Sequence, residues 1–357
     1  MNTRVSKRYA QTLFSAFALS VLSITASAQE GHAQDKLYVL SSIKPVHSLV
    51  AMVTGDLANS EIIVKGAASP HTYALAPAQA RDIQRADAIF WVGEDLEAFL
   101  EKPLATIGAR ATLIELMETP GLQKLKFREG GAFEKHDGHD DDDHDDDRDD
   151  DHGHDDDHGK HDDHDEDHDD DHDEGHDDDH GNHDDHDGFD PHIWLSPDNA
   201  KRILAYIASA LCDLDPDNKA AYIANATAAM QDIDQLTNAI TDNLSPIKNG
   251  GFLLFHDSFQ YFEHAFGLAA SGAISIHPEV APGARRIAEI RRLLRKRNVR
   301  CVFTEPQFDA KMVDVILQGT GKRAVEIDPL GAALPQGDTL YFELMQAMST
   351  SFRKCLG

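Results

Sequence analysis

Apolar positions along this 357-residue chain follow two rhythms, short unbroken runs and stripes at spacings of three and four, and these predict its elements in order. Lys36 to Ile43 (KLYVLSSI) reads as a strand, Val46 to Val53 as a helix closed by Gly55, and Glu61 to Val64 as a second strand ending in Gly66 and the loop AASPHTYAL. Pro77 to Ala86 has a proline in its first turn and reads as a helix. Ala88 to Gly93 (AIFWVG) is the apolar run of a strand buried on both faces. Leu96 to Phe99 opens another helix, and Ala111 to Leu116 is a further strand. Strand–helix alternation of this kind implies a parallel α/β lobe.

The same alternation returns near the C-terminus. Gly251 to Phe255, Ala269 to Ile276, Val299 to Thr304 and Ala324 to Ile327 read as strands. Helices at Ser258 to Phe266, Ala284 to Lys296 and Asp309 to Leu317 lie between them, and Thr339 to Phe352 is the last helix. Between the halves, Ser196-Pro197 starts a helix that runs to about Leu214, and Asp215-Pro216 repeats the start signal. Tyr222, Ala226, Met230, Ile233, Leu236, Ile240 and Leu244 then form one apolar stripe, which Ser245-Pro246 stops. A helix of roughly 28 residues spans on the order of 40 Å, long enough to act as a strut between lobes. The expected fold is α/β, with two lobes of parallel sheet flanked by helices and joined by a long rigid helix.

One stretch has neither rhythm. His136 to Asp187 contains no large apolar residue, 14 of the chain's 21 histidines and 30 of its 63 acidic residues, against only Arg148 and Lys160. It therefore carries −28 of the chain's formal charge of −30, and the rest of the protein is close to neutral. Such a segment cannot bury enough apolar surface to offset its ordering entropy, so disorder is expected. A solvated acidic linker would need no histidine at roughly every fourth position. Imidazole interleaved with carboxylate is metal-ligand chemistry, which makes His136, His139, His144, His152, His154, His158, His161, His164, His168, His172, His176, His180, His183 and His186 accessory metal ligands.

The N-terminus sets the compartment. Arg4, Lys7 and Arg8 precede an apolar run from Thr12 to Ala26 and an Ala26-Ser27-Ala28 cleavage site, the pattern of a secretory signal peptide. Nothing later approaches the ~20 apolar residues of a membrane span, and no cysteine at the cleavage site offers a lipid anchor. The expected organisation is a signal peptide at 1–28, an N-terminal lobe at 29–215 containing the 136–187 insert, a linking helix at 216–246 and a C-terminal lobe at 247–357. In an oxidising compartment a disulfide is expected among Cys212, Cys301 and Cys355. Cys301 opens a strand and Cys355 lies at the C-terminus, so their pairing would staple the tail to a sheet. Cys212 sits in a helical apolar pattern, as a small buried residue would.

Seven histidines lie outside the insert. His71 falls in the loop after the second strand, His256 directly after GFLLF, and His192 in the connection before the Ser196 helix. Asp328 directly follows AVEI. Ligands of open α/β sheets bind outside the carboxyl ends of strands, where these four belong. Three imidazoles and a carboxylate suit tetrahedral zinc, whereas a more carboxylate-rich set would suit manganese. Their separations of 121, 64 and 72 residues match no short motif. His264 reads as mid-helix packing, His32 as terminal, and His47 and His277 as surface residues, with His277 a spare ligand. Asp257 reads as a helix cap or as a partner orienting an imidazole. Trp91 and Trp194 read as core or cleft wall. The cluster Arg285, Arg286, Arg291, Arg292, Arg295, Lys296 and Arg297 reads as a solvated helix face or a counter-charge to the insert; nucleic-acid binding is not expected of a secreted chain.

The stretches SPHTYALAPAQARDIQRADAIFWVGEDLEAF, PHIWLSP, FLLFHDSFQYFEHAFGL, PEVAPGARRIAEIR, CVFTEPQF and EIDPLG occur in this order. They resemble the zinc-binding periplasmic components of high-affinity zinc ABC transporters, in the cluster A-I solute-binding protein family. The resemblance covers nearly the whole mature chain and includes an acidic His-rich insert at the same place. It implies one metal site in a cleft between two α/β lobes, with His71, His192 and His256 as ligands and Asp328 as the acidic ligand of related proteins. Manganese-binding relatives have Glu where His256 stands, which favours Zn2+ over Mn2+. It also implies a Cys301–Cys355 disulfide. One departure concerns the fourth ligand: some zinc relatives have Glu before the first His, where this chain has Pro70. Asp328, water or a histidine of the insert would then complete the site. The implied protein is a monomeric periplasmic zinc carrier that delivers to an inner-membrane ABC permease, and not an enzyme. A manganese carrier, a zinc buffer without a transporter and a zinc hydrolase are the alternatives; the hydrolase is the weakest, since no general base or nucleophile motif accompanies the ligands.

Overall fold

The computed structural model describes residues 35–128, 188–247, 250–275, 282–296 and 299–357. The expected signal peptide, the His-rich insert with its fourteen histidines, His32 and His277 lie outside the described residues. Lys36–Gly357 forms one compact unit.

The first sheet contains β1 (Tyr38–Ser41), β2 (Asn59–Ile62), β3 (Ala88–Trp91) and β4 (Thr112–Glu115), with α1 (Lys44–Thr54), α2 (Pro77–Arg85) and α3 (Glu94–Thr106) between them. All its pairings are parallel, in the order β2-β1-β3-β4. Pro77 occupies the start of α2, where its missing N–H costs nothing, and Gln79 Oε1 accepts from Ala76 N–H at 2.8 Å. Two helices cross to the second half: α4 (Pro197–Leu214) and α5 (Lys219–Leu244). Ser196 Oγ caps α4 by accepting from Asn199 N–H at 3.2 Å. Then follow β5 (Gly251–His256), α6 (Gln260–Phe266), β6 (Ala273–Ser275), α7 (Ala284–Lys296), β7 (Val299–Thr304), α8 (Ala310–Leu317), β8 (Arg323–Glu326) and α9 (Leu340–Leu356). The second sheet has the order β6-β5-β7-β8, again all parallel, so the two sheets repeat one plan.

The expected strut is α5, with 26 residues. Tyr222, Ala226, Ile233, Leu236, Ile240 and Leu244 are buried along it as the stripe predicts, and Ala229 joins them while Met230 is half-buried. The helix packs on α1 and α4 at one end and on α6 and α9 at the other. One continuous apolar core therefore runs through both sheets, from Val39 and Ile89 through Ile233 to Phe252 and Phe352. A smaller cluster, including Leu253, Ile274, Ile290, Val302 and Ile316, fills the outer face of the second sheet beneath α7 and α8. Lys44, nearly buried at the start of α1, donates to Gly331, Ala332 and Leu334 carbonyls at 3.0, 2.7 and 2.9 Å, tying the first sheet to the loop beyond β8.

Two expectations about single histidines are reversed. His47 is buried, because Val46, His47 and Val50 all sit where α1 packs between its sheet and α5; His264 is exposed, because α6 turns that face outward. On α7, Arg286 donates to the Ala273 and Ile274 carbonyls and Arg291 to those of Val315, Ile316 and Gln318, while Arg292 and Arg295 are exposed. No described helix is long and apolar enough to cross a membrane.

Cys301 and Cys355 form a disulfide, and Cys212 is a buried free cysteine. The bridge ties α9 to β7 across a sequence separation of 54. Cys301→Ser/Cys355→Ser should lower unfolding free energy by about 2–4 kcal/mol, read from denaturant midpoints under oxidising conditions. An unchanged midpoint would show that core packing alone holds α9.

Candidate metal centre

The carboxyl ends of strands from both sheets meet at one place. His71 lies in the short turn Pro70–Thr72, in the loop after β2. His192 precedes the turn Ile193–Leu195 that leads into α4. His256 is the last residue of β5, in register with Ser275 of β6. Their ring centroids are 5.5 Å apart for His71 and His192, 5.6 Å for His71 and His256, and 5.1 Å for His192 and His256. One nitrogen from each lies within 4.8 Å of the other two, and these are the described residues so grouped that could hold a metal ion. They line a cavity of about 10 Å³, with room for one ion or water, walled by Pro70, Trp194, Glu305, Gln307, Phe308 and Pro329.

Two of the imidazoles are aimed by buried carboxylates. Asp190, 1 % exposed, accepts at Oδ1 from both the backbone N–H of His192 and its Nδ1, at 2.9 and 2.7 Å. Glu305, 3 % exposed, lies 3.1 and 3.0 Å from His256 Nδ1 through its two oxygens. A carboxylate on Nδ1 holds the proton there and leaves Nε2 to a metal, and it raises the basicity of the ligand. His256 Nε2 is buried and has no hydrogen-bond partner among the described residues, as suits an atom that coordinates a metal. The walls hold the rings from the sides: Trp194 lies 5.3 Å from His192 and Phe308 lies 5.4 Å from His256. Trp194 is itself fixed by donating from Nε1 to Pro329 O at 2.9 Å.

Of the four expected ligands, the fold brings together the three histidines and leaves Asp328 outside the group. Asp328 follows β8 as expected, but its oxygens accept from Gln307 Nε2 at 2.9 Å, from Leu330 N–H at 3.0 Å and from Ala332 N–H. Asp257 neither caps α6 nor orients an imidazole: its carboxylate takes two bonds from Arg128. The supports Asp190 and Glu305, and Arg128 itself, were not singled out from sequence. Asp190 stands two residues before His192, and Glu305 follows its strand just as His256 ends its own, so each had a positional signal.

Comparison with known proteins fits this geometry. Residues 39–355 match the family model described as zinc-uptake complex component A, periplasmic. The chain belongs to that family. The high-affinity zinc uptake system protein ZnuA of Brucella abortus (strain 2308) is 44% identical over 318 residues, covering 89% of this chain and 91% of the relative. The protein of the same name from Haemophilus influenzae is 35% identical over 338 residues, covering 95% and 98%. Among solved structures, a crystal structure of ZnuA superposes with a TM-score of 0.68 at 23% identity, covering 90% of this chain and all of that one. The laminin-binding protein Lbp of Streptococcus pyogenes gives 0.64 at 22% identity, covering 91% and 100%. At such identities these structures establish the shared fold: two parallel sheets with flanking helices. The family description names a component of an uptake complex and not an enzyme.

The surroundings of His71 and His256 push their proton affinities in opposite directions. Burial holds His71 well below the usual imidazole value, with His192 and His256 adding to the effect, so it stays neutral. Burial is the largest single effect on His256 and lowers its value, but the Glu305 charge and hydrogen bond, together with the charges of Asp257 and Asp190, outweigh it and the net shift is upward. A ring with a raised value is still protonated at a pH where an ordinary imidazole is neutral, and a metal must displace that proton. Metal affinity should therefore begin to fall above pH ~6.5 on acidification. Glu305→Gln should move the midpoint of that fall to lower pH, while weakening affinity at pH 8 by about 10–100-fold. Affinity measured by chelator competition from pH 5.5 to 8 tests this; an unmoved midpoint would mean that Glu305 does not set the His256 proton.

Proposed function

We propose that this protein captures Zn2+ outside the cytoplasm at His71, His192 and His256 and delivers it to an inner-membrane ABC permease. The observation that carries this reading is the convergence of three imidazole nitrogens from three separate segments, two of them backed by buried carboxylates. An all-nitrogen protein set suits zinc, whereas Mn2+ prefers more oxygen. Relatives named for high-affinity zinc uptake support the same cargo. Pro70 supplies no ligand atom, so the fourth position falls to Asp328, to water or to a histidine of the 136–187 insert. Asp328 would have to exchange its bonds to Gln307, Leu330 and Ala332 to reach the ion. In this reading the 136–187 insert binds further ions more weakly, because each must order a chain that is expected to be disordered, and it serves as an accessory zinc collector or as a sensor of zinc availability. The carrier works as a monomer, without nucleic acid.

Isothermal titration of the full chain should show one tight zinc site and several weak ones. Deletion of 136–187 should remove most weak sites and spare the tight one, and His192→Ala should do the reverse. Loss of the tight site on deletion of the insert would refute this division of roles. Zinc-limited growth of a strain lacking the gene tests delivery: rescue by the wild-type chain and not by His192→Ala is expected, and equal rescue by both would refute the assignment of the cargo site.

A further inference from the structure

The chain leaves for residues 129–187 at Arg128 and returns at Gly188. The two flanks pair with each other. Lys126 bridges Phe189 in the antiparallel sense, and Asp190 N–H donates to Leu125 O at 2.8 Å. This ribbon belongs in sequence to the first half, yet it is fastened to α6 and the end of β5 in the second. The Tyr261 hydroxyl accepts from Leu125 N–H at 3.0 Å and donates to Asp190 O at 2.8 Å. Gln260 Nε2 donates to Lys126 O at 3.0 Å.

The strongest tie is ionic. Arg128 Nε donates to Asp257 Oδ2 at 2.9 Å, and Nη2 reaches the other oxygen of that carboxylate. Nη1 and Nη2 donate to the two Glu263 oxygens at 3.0 and 2.8 Å. The side chains of Asp257 and Glu263 are 16% and 4% exposed. A planar guanidinium can fork onto both carboxylates at once, which an ammonium cannot. Buried ion groups of this kind are seldom more stabilising than apolar packing of the same volume, and their better-attested use is to fix register. The register fixed here has a clear consequence. The ribbon carries Asp190, which aims the His192 ring, and Asp257 directly follows His256.

We infer that Arg128 is a positioning residue of the trihistidine centre: its fork onto Asp257 and Glu263 sets the spacing between the ribbon bearing His192 and the strand end bearing His256. It touches no metal and acts through the two backbones. The sheets themselves are held together by the separate apolar core around α5, so loosening this tie should disturb the spacing of the ligands more than the fold. The inference rests on the reading that the three imidazoles hold the metal.

The test compares the full chain with Arg128→Lys, with the charge-neutral triple variant Arg128→Met/Asp257→Asn/Glu263→Gln, and with His256→Ala. Each is measured for circular dichroism and apo melting, for zinc affinity at the tight site by chelator competition, and for the visible spectrum with one equivalent of Co2+. Arg128→Lys should keep the fold, lose about tenfold in zinc affinity and shift the cobalt bands; the triple variant should lose about 10–100-fold with a wild-type dichroism spectrum. A purely structural salt bridge would lower melting temperature and leave affinity and cobalt spectrum unchanged. Wild-type metal binding by Arg128→Lys, with His256→Ala defective, overturns the inference alone, and it does so even where the triple variant fails to fold. Wild-type zinc affinity in His256→Ala sinks the trihistidine reading and this inference with it.

Discussion

The trihistidine cluster exists only while two sheets keep a fixed relation, and one continuous apolar core enforces that relation. His71 and His192 come from the first half of the chain and His256 from the second, so no local segment could present all three. The core passes from the first sheet through α1, α4 and α5 to α9 and the second sheet without a polar break. Phe352 of α9 shows how closely it is knit: it stacks on Phe262 at 5.2 Å and meets Phe252 and Phe303 edge-on at 5.3 and 4.8 Å. Lobes joined by a small polar interface move freely by default, whereas a large apolar one holds them. Hydrogen bonds then set the fine alignment that burial, being non-directional, cannot. Tyr341 OH donates to Trp194 O at 2.9 Å, and Trp194 Nε1 donates across to Pro329 O.

On that frame the electrostatics of the site follow from its depth. Three imidazoles around a cavity of about 10 Å³ repel if more than one is protonated, and His71 is held neutral first by burial and then by its two neighbours. Asp190 and Glu305 lie behind His192 and His256, on the Nδ1 side, where their charge would offset that of a divalent ion held by the other ring nitrogens. The two share one pattern: one oxygen of each meets both the ring and the backbone N–H of its histidine, while Asp190 Oδ2 accepts from Gln260 Nε2 at 3.3 Å and Glu305 Oε2 lies 3.5 Å from Ser258 Oγ. Each support is thus held by more than the imidazole it aims, which keeps the rings in place before any ion arrives and lowers the ordering cost of binding.

The fold was legible because its signals are local. The α5 stripe, the apolar strands and the proline-led helix starts depend on residues within a few positions of each other, and the structure places them within one to three residues of expectation. β6 is the exception: Ala269 to Ile276 reads as a strand, but the strand is only Ala273–Ser275, since the Leu268 and Ala270 N–H groups donate to Glu263 in the turn after Gly267, and Ser271 N–H reaches Phe252 O just before the strand begins. The place of His71 and His256 beyond the carboxyl ends of β2 and β5 was legible for the same reason. What was hidden depends on contacts across the sheets. No spacing rule links Arg128 to Glu263 or His256 to Glu305, and Asp257 carries two local roles on paper while its actual partner stands 129 residues away. Asp328 was placed correctly in sequence terms, at a strand end; its surplus of backbone donors comes from the turn of Pro329 to Ala332, which only the folded loop reveals.

The site also has to work beside a strongly charged neighbour in sequence. Residues 136–187 carry −28, and their last residue is five positions from His192. Any force on that stretch acts first on the ribbon of Leu125–Arg128 and Gly188–Asp190, because the chain enters and leaves through it. Asp190 has no slack to absorb such a force: its carboxylate, carbonyl and N–H are engaged by His192, Tyr261 and Leu125 respectively. A ribbon held only by its own few backbone bonds would transmit strain straight to the His192 ring. Anchoring its outer end through four charge-assisted bonds to two carboxylates of the opposite half directs that load into α6 and β5 instead.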